Sequence, residues 1–168
     1  TGIALQPHAS QEQEDNNTLG RATPIAPTGS VRGSIDPKGD HDWYVVDLER
    51  QGMLELRVTD VPAALDVHVR VFNAERGLHE NWIAPLRAGA ELERIVYIAG
   101  PGRHYLQVVD GNDDASDPSP YTLSVQYTPG DAFEPNNSFG AATALATDAE
   151  VFASILPKGD EDWYVCDV

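Results

Sequence analysis

The same segment occurs twice in this chain. Residues 14–48 (EDNNTLGRATPIAPTGSVRGSIDPKGDHDWYVVDL) align without a gap on residues 134–168 (EPNNSFGAATALATDAEVFASILPKGDEDWYVCDV) at an offset of 120, and 19 of the 35 positions are identical. Self-similarity at a fixed spacing means that one folding unit is used more than once. The repeat sets the expected boundaries. Residues 1–11 read as a leader or linker, and 12–127 as one complete module. Residues 128–130 (Thr-Pro-Gly) form a linker with turn chemistry. Residues 131–168 are the N-terminal part of a second, truncated module.

Within the complete unit the apolar residues recur with a period of 2, the signature of half-buried strands. Tyr44, Val46 and Leu48 alternate with Val45 and Asp47; Leu54, Leu56 and Val58 alternate with Glu55 and Arg57; Leu65, Val67, Val69 and Val71 alternate with Asp66, His68 and Arg70. Ile95 and Tyr97, Leu106 and Val108, and Tyr121 through Tyr127 continue the pattern. Turn residues separate the runs, as at Pro37-Lys38-Gly39-Asp40, Gln51-Gly52 and Gly100-Pro101-Gly102. About eight short strands of this kind predict an all-β fold, a two-sheet antiparallel, jelly-roll-like β-sandwich, followed by the partial second copy. A single helical turn is expected near Asn17–Ala22, capped by Asn17 or Thr18.

Charge narrows the partners. With 27 acidic against 11 basic residues the formal net charge is −16, so nucleic acid is excluded as an expected partner because phosphates would be repelled. No apolar stretch is long enough for a membrane span. Cys166 is the single cysteine, so no intrachain disulfide forms, and bound ions would have to provide any cross-linking.

The acidic residues are not scattered evenly. Glu14-Asp15-Asn16-Asn17 and Glu134-Pro135-Asn136-Asn137 occupy matching places in the two copies, as do Gly39-Asp40-His41-Asp42 and Gly159-Asp160-Glu161-Asp162. Calcium takes six to eight oxygens from carboxylates, amides, backbone carbonyls and water. Alternate residues of an extended segment point the same way, so Glu12, Glu14 and Asn16 can converge on one ion. The competing reading is turn and cap chemistry, since Asp and Asn favour both.

The series Glu-Pro-Asn-Asn-Ser-Phe, then Ala-x-x-Leu, then Gly-Asp-x-Asp-Trp-Tyr resembles the bacterial pre-peptidase C-terminal domain, a module related to the collagen-binding domains of clostridial collagenases. The likeness extends over Gly102–Val108 and Tyr121–Val125. It implies a jelly-roll sandwich on exported proteins, often appended to proteases or other hydrolases. It also implies Ca2+ as cofactor, with candidate ligands Glu12, Glu14, Asn16, Asn17, Asp40 and Asp42 in the first copy and Glu134, Asn136, Asn137, Asp160 and Asp162 in the second. Ala132 stands where the first copy has Glu12, so the second site is either weaker or recruits Asp131.

Other features carry blander expectations. Tyr44 and Tyr164 follow the alternation into the core, whereas Trp43 and Trp163 fall on the opposite face. Trp82 lies in what reads as an irregular stretch, Gly77–Pro85, and Cys166 replaces an inward Val46. Asp110–Asp117 reads as a solvated loop, with a further cation site as the alternative. No catalytic motif is present, and none of the five histidines recurs in the second copy. The expectation is therefore a non-catalytic, secreted or cell-surface module for adhesion, targeting or substrate binding. Its partners would be an extracellular polymer or protein surface, or copies of itself. The alternative is a structural repeat or filament subunit, a head-to-tail homo-oligomer built by intermolecular strand completion of the partial module.

Overall fold

The computed structural model describes residues 9–73, 77–83, 88–156 and 159–167. Among the described residues, nine strands build the first unit: β1 (Thr23–Pro24), β2 (Thr28–Ile35), β3 (His41–Leu48), β4 (Gly52–Thr59), β5 (Val67–Asn73), β6 (Gly77–Ile83), β7 (Leu92–Ala99), β8 (Gly102–Asp110) and β9 (Asp117–Pro129). They form two sheets, in the orders β1-β3-β8-β5-β6 and β2-β9-β4-β7. All pairings are antiparallel except β1 with β3. This is the two-sheet sandwich that the alternation predicts.

The period-2 runs explain why the sheets face each other. Tyr44, Val46 and Leu48 of β3, Val67, Val69 and Val71 of β5, and Leu106 and Val108 of β8 are buried from one side. Val31 and Ile35 of β2, Leu54, Leu56 and Val58 of β4, and Tyr121, Leu123 and Val125 of β9 are buried from the other. These residues make one continuous core. Each such side chain contributes roughly 1.5–3 kcal/mol on burial, and the twofold period puts them all on the inner faces.

The second copy reproduces the opening moves of the first. β10 (Thr143–Leu145) pairs in parallel with β11 (Tyr164–Cys166), matching Thr143 to Tyr164 as β1 and β3 match Thr23 to Tyr44. A 3-10 turn precedes the short strand in each copy, at Leu19–Arg21 and Phe139–Ala141. Thr18 occupies the cap position of the first without a side-chain cap hydrogen bond. The turn before β3 also recurs: Gly39 and Gly159 have φ of +85° and +92°, a conformation that glycine adopts at little cost.

Several sequence expectations are revised. β2 (Thr28–Ile35) escapes the alternation rule because Gly29 and Gly33 stand in the register of Val31 and Ile35, so only two apolar side chains mark its inner face. Gly77–Ile83 is a strand rather than an irregular stretch; the side chain of Trp82 lies outside the described residues, as does Pro85. Thr128 and Pro129 belong to β9, paired with Met53 and Gly52. Residues 9–11, read as leader, pair with the sandwich: Ala9 N–H donates to the Pro24 carbonyl, Arg32 N–H to that of Ser10, and Gln11 bridges to Arg32. Residues 1–8 lie outside the described residues. Cys166 is exposed, although its counterpart Val46 is fully buried. The strands that cover Val46 have no counterpart among the described residues of the second copy.

Leu56 has no solvent exposure and sits where β4 meets both β7 and β9. Leu56→Ala is expected to cost about 2–5 kcal/mol in urea unfolding, whereas Val96→Thr, on the exposed side of β7, should change stability by less than about 0.5 kcal/mol.

Candidate metal centre

The approach to β2 brings the first acidic cluster together. Ser10–Glu12 run beside β2, and Glu12 N–H donates to the Arg32 carbonyl at 2.9 Å. The chain then crosses to the start of β3, where Trp43 N–H donates to the Asn16 carbonyl at 3.2 Å. These two anchors carry Glu12 and Glu14 over the start of β3, from which Asp42 points inward. One oxygen from each of Glu12, Glu14 and Asp42 lies within 4.8 Å of the others.

Each carboxylate is held by a donor that leaves capacity for a cation. Glu12 Oε1 accepts from Ser34 N–H at 2.8 Å and from its hydroxyl at 3.1 Å. Glu14 Oε2 accepts from Asn16 N–H at 3.1 Å. Asp42 Oδ2 accepts from the Tyr121 hydroxyl at 2.5 Å, and that hydroxyl lies 2.7 Å from the hydroxyl of Tyr44. Tyr44 in turn donates to Glu12 Oε2 at 3.3 Å. The Asn16 amide donates to Thr23 Oγ1 at 3.4 Å. What stays unfilled is informative: Asn16 and Asp42 are fully buried, yet Oδ1 of each has no hydrogen-bond partner. Burying an acceptor without a donor is costly, and a cation removes that cost.

Electrostatics point the same way. Burial and the neighbouring Glu12 charge push the Asp42 carboxyl up to about 9. Burial also raises Glu12, Glu14 and Asp40, with Glu14 adding to the rise at Glu12 and Asp40 to that at Glu14. The Tyr44 and Tyr121 hydroxyls are raised well above the usual phenol value, by burial first, then at Tyr44 by Asp42 and Glu12 and at Tyr121 by Tyr44 and Asp42. Packed together without a counter-ion, the acids hold protons; a divalent cation displaces them.

The second copy builds the same arrangement. Asp131, Glu134 and Asp162 place one oxygen each within 4.8 Å of the others. Glu134 Oε2 accepts from Asn136 N–H at 3.2 Å, and Trp163 N–H donates to the Asn136 carbonyl at 3.0 Å. Ser154 N–H donates to Asp131 Oδ2 at 2.8 Å, the bond that Ser34 makes to Glu12. Asp131 thus fills the place of Glu12 from one position earlier in the repeat. Asn136 is fully buried, and its Oδ1 and Oδ1 of Asp162 have no partner. Burial, then the nearby acids, raise Glu134 and Asp162.

Not every sequence-predicted ligand has the same place. Asp40 braces the turn before β3 and Asp160 the matching turn before β11: each accepts through Oδ2, from Asp36 N–H at 3.0 Å and from Leu156 N–H at 2.9 Å respectively. Asn17 Oδ1 accepts from His41 N–H at 2.8 Å. Asp131, which the sequence offered as one of two alternatives, joins the second cluster; the residues missed by sequence reading are Ser34, Thr23 and Tyr121. Ser34/Ser154 and Thr23/Thr143 are identical in the two copies, a signal that was available; Tyr121 has no second copy to compare. The acidic loop after β8 is not part of the cluster. Burial pushes Asp110 up, but the backbone N–H groups of Asp66, Asp114 and Ala115 outweigh it and lower the carboxyl. A separate groove of about 520 Å³ on the outer face of the four-stranded sheet is lined by Thr28, Ser30, Glu55, Arg57, Ser124 and Gln126; Glu55 there is already paired with Arg57 and Arg94.

No family model matches this sequence, and no curated protein matches it. Solved structures do. The pre-peptidase C-terminal domain of collagenase from Bacillus anthracis is similar with a TM-score of 0.49 and 16% identity, over 62% of this chain and 94% of that one. Aeromonas hydrophila PliG, a periplasmic inhibitor of g-type lysozyme, is similar with a TM-score of 0.42 and 14% identity, over 72% and 96%. A pre-peptidase C-terminal domain is thus among the structures this chain resembles, as its motifs imply. No helix of the described residues is long and apolar enough to cross a membrane.

Gly33 lies against this network. A Cβ there would collide with the hydroxyls of Tyr44 and Tyr121 and with Glu12. Gly33→Ala is expected to cost about 1–3 kcal/mol by overpacking, whereas Gly20→Ala, with nothing within 4 Å, should be nearly neutral; urea denaturation of the two variants checks this.

Proposed function

We propose that this protein is a non-catalytic, calcium-binding β-sandwich module of an exported protein, serving adhesion, targeting or substrate binding. The observation that carries the reading is the duplicated cluster of three carboxylates, each beside a fully buried Asn whose side-chain oxygen has no donor. The donor sets are all oxygen, with no Cys or His, which suits a hard cation of adaptable coordination. Glu12, Glu14, Asn16 and Asp42 would hold the first ion, and Asp131, Glu134, Asn136 and Asp162 the second. Asp40, Asn17, Asp160 and Asn137 would brace the loops that present them. Extracellular calcium modules commonly bind at about 0.1–1 mM, which fits a location outside the cytoplasm.

Within this reading the ion is structural: it stitches the segment preceding β2 to the start of β3 and stiffens one end of the sandwich. The faces of the sheets are then left to meet a polymer or protein surface. Calcium at about 100 times its dissociation constant stabilises a one-site protein by about 2.7 kcal/mol, which here should appear as a rise of several degrees in melting temperature. Asp42→Asn is the discriminating variant. It keeps an acceptor for Tyr121 but cannot ionise to hold a cation, so it should abolish the first-site rise while leaving the calcium-free protein, in which Asp42 holds its proton, about as stable as the parent. If Asp42 were only a turn residue, the substitution would change stability equally with and without calcium.

A second reading has its own observation. Ile155 and Cys166 of the second copy are exposed, whereas their counterparts Ile35 and Val46 are fully buried. Strands supplied by a neighbouring copy would cover this face and give a head-to-tail assembly. Sedimentation in calcium should then show mass growing with concentration; a single monomer boundary throughout would remove this reading and leave the first untouched.

A further inference from the structure

The two candidate centres differ in what surrounds them. The turn between β3 and β4 reaches the segment that follows β9. Gly130 N–H donates to the Gln51 carbonyl at 2.8 Å, and the Tyr127 hydroxyl donates to the Arg50 carbonyl at 2.8 Å. The fit is close: a Cβ at Gly130 would stand 3.0 Å from the Gln51 oxygen and 3.2 Å from Glu134 Cγ. From this turn Gln51 extends its amide into the second centre. Gln51 Nε2 donates to Glu134 Oε2 at 3.4 Å. Asn137 is assigned the amide orientation that satisfies its partners; its oxygen then accepts from Gln51 Nε2 at 3.0 Å, and its nitrogen donates to the Glu161 carbonyl at 2.9 Å and to Asp160.

One side chain of the first unit therefore holds a carboxylate of the second unit's centre, Glu134, together with Asn137 of the loop beside it. Glu134 Oε1, the oxygen that Gln51 leaves alone, is buried and has no partner. We propose that Gln51 is a positioning residue of the second centre, so that cation binding there and docking of the two units are a single linked equilibrium. The inference rests on the calcium reading given above. The chemistry suits glutamine: a neutral amide orients a carboxylate without cancelling its charge, whereas lysine would compete with the ion. Because coupling between two binding events is reciprocal, a docked junction that favours the ion is itself tightened by the ion to the same degree. In the first centre the equivalent Glu14 Oε2 accepts only from its own segment, at Asn16, among the described residues.

The test uses the full chain and calcium alone as the probe. Calorimetry reads the two binding events, and Asp162→Asn identifies the second by removing it. A fluorophore on Cys166, the single cysteine and an exposed one, reads the rotational freedom of the second unit by anisotropy. Calcium is expected to raise the anisotropy of the parent protein along the second event. Gln51→Ala should weaken that event about tenfold and shift the anisotropy midpoint with it, leaving the first event unchanged. Gln51→Glu sets a carboxylate beside Glu134; it should lower the anisotropy without calcium and recover it with calcium, which a packing role would not produce. Two events of parental affinity and an unshifted anisotropy curve in Gln51→Ala would overturn the proposal alone. A parent protein that takes up no calcium would overturn the cation reading, and this inference with it.

Discussion

Within an otherwise apolar core, the hydroxyls of Tyr44 and Tyr121 lie 2.7 Å apart. Tyr44 belongs to one sheet and Tyr121 to the other, so this contact ties the two layers together at the end where the acids collect. Tyr121 continues the chain of bonds to Asp42 and Tyr44 continues it to Glu12. A buried polar network is stabilising only when every member is satisfied. Here the network ends on oxygens that have no donor, and the cation proposed above is what would complete it. Core packing and the acidic cluster are thus parts of one arrangement.

The two copies separate what the arrangement requires from what it tolerates. The Ser34 and Ser154 amides each hold an acid at 2.8 Å, although that acid is Glu12 in one copy and Asp131 in the other. A shorter side chain one position earlier reaches the same point as a longer one beside it. The crossing from Asn16 to Trp43 and from Asn136 to Trp163 is made by the same backbone bond. On the outer side of the third strand the copies diverge. Trp43 packs against Phe72 of β5 with centroids 5.0 Å apart, while Trp163 meets Phe139 of its own 3-10 turn at 6.2 Å. The outer tryptophan is retained and its partner is not.

Strands with strict alternation were legible because burial on one face demands it: β3, β4, β5, β8 and β9 follow directly from runs such as Leu54-Leu56-Val58. β2 was not legible, because Gly29 and Gly33 deplete the inner half of the pattern; Gly33 is there to make room for two tyrosines and Glu12, a long-range requirement that no local period records. The acids of the centre were found through the repeat, but their division of labour was not. Asp40 and Asp42 look alike in sequence, yet one braces a turn through Asp36 N–H and the other points into the cluster. Asp131 was open to either reading, since alignment alone assigns its place to Gln11. Tyr121 comes from a strand some eighty residues beyond Asp42 and gave no local sign of its contact.

β9 runs to Pro129, and Asp131 already belongs to the next cluster, so one residue separates the last strand of one unit from the first acid of the following unit. There is no slack between them. Under tension, a chain with flexible spacers would extend those spacers before loading its domains. In this chain a pull is delivered from β9 to Asp131 and Glu134 without an intervening spring. The acidic cluster therefore sits in the line of force, and the ion proposed for it would set the stiffness of the junction through carboxylate coordination rather than through linker entropy.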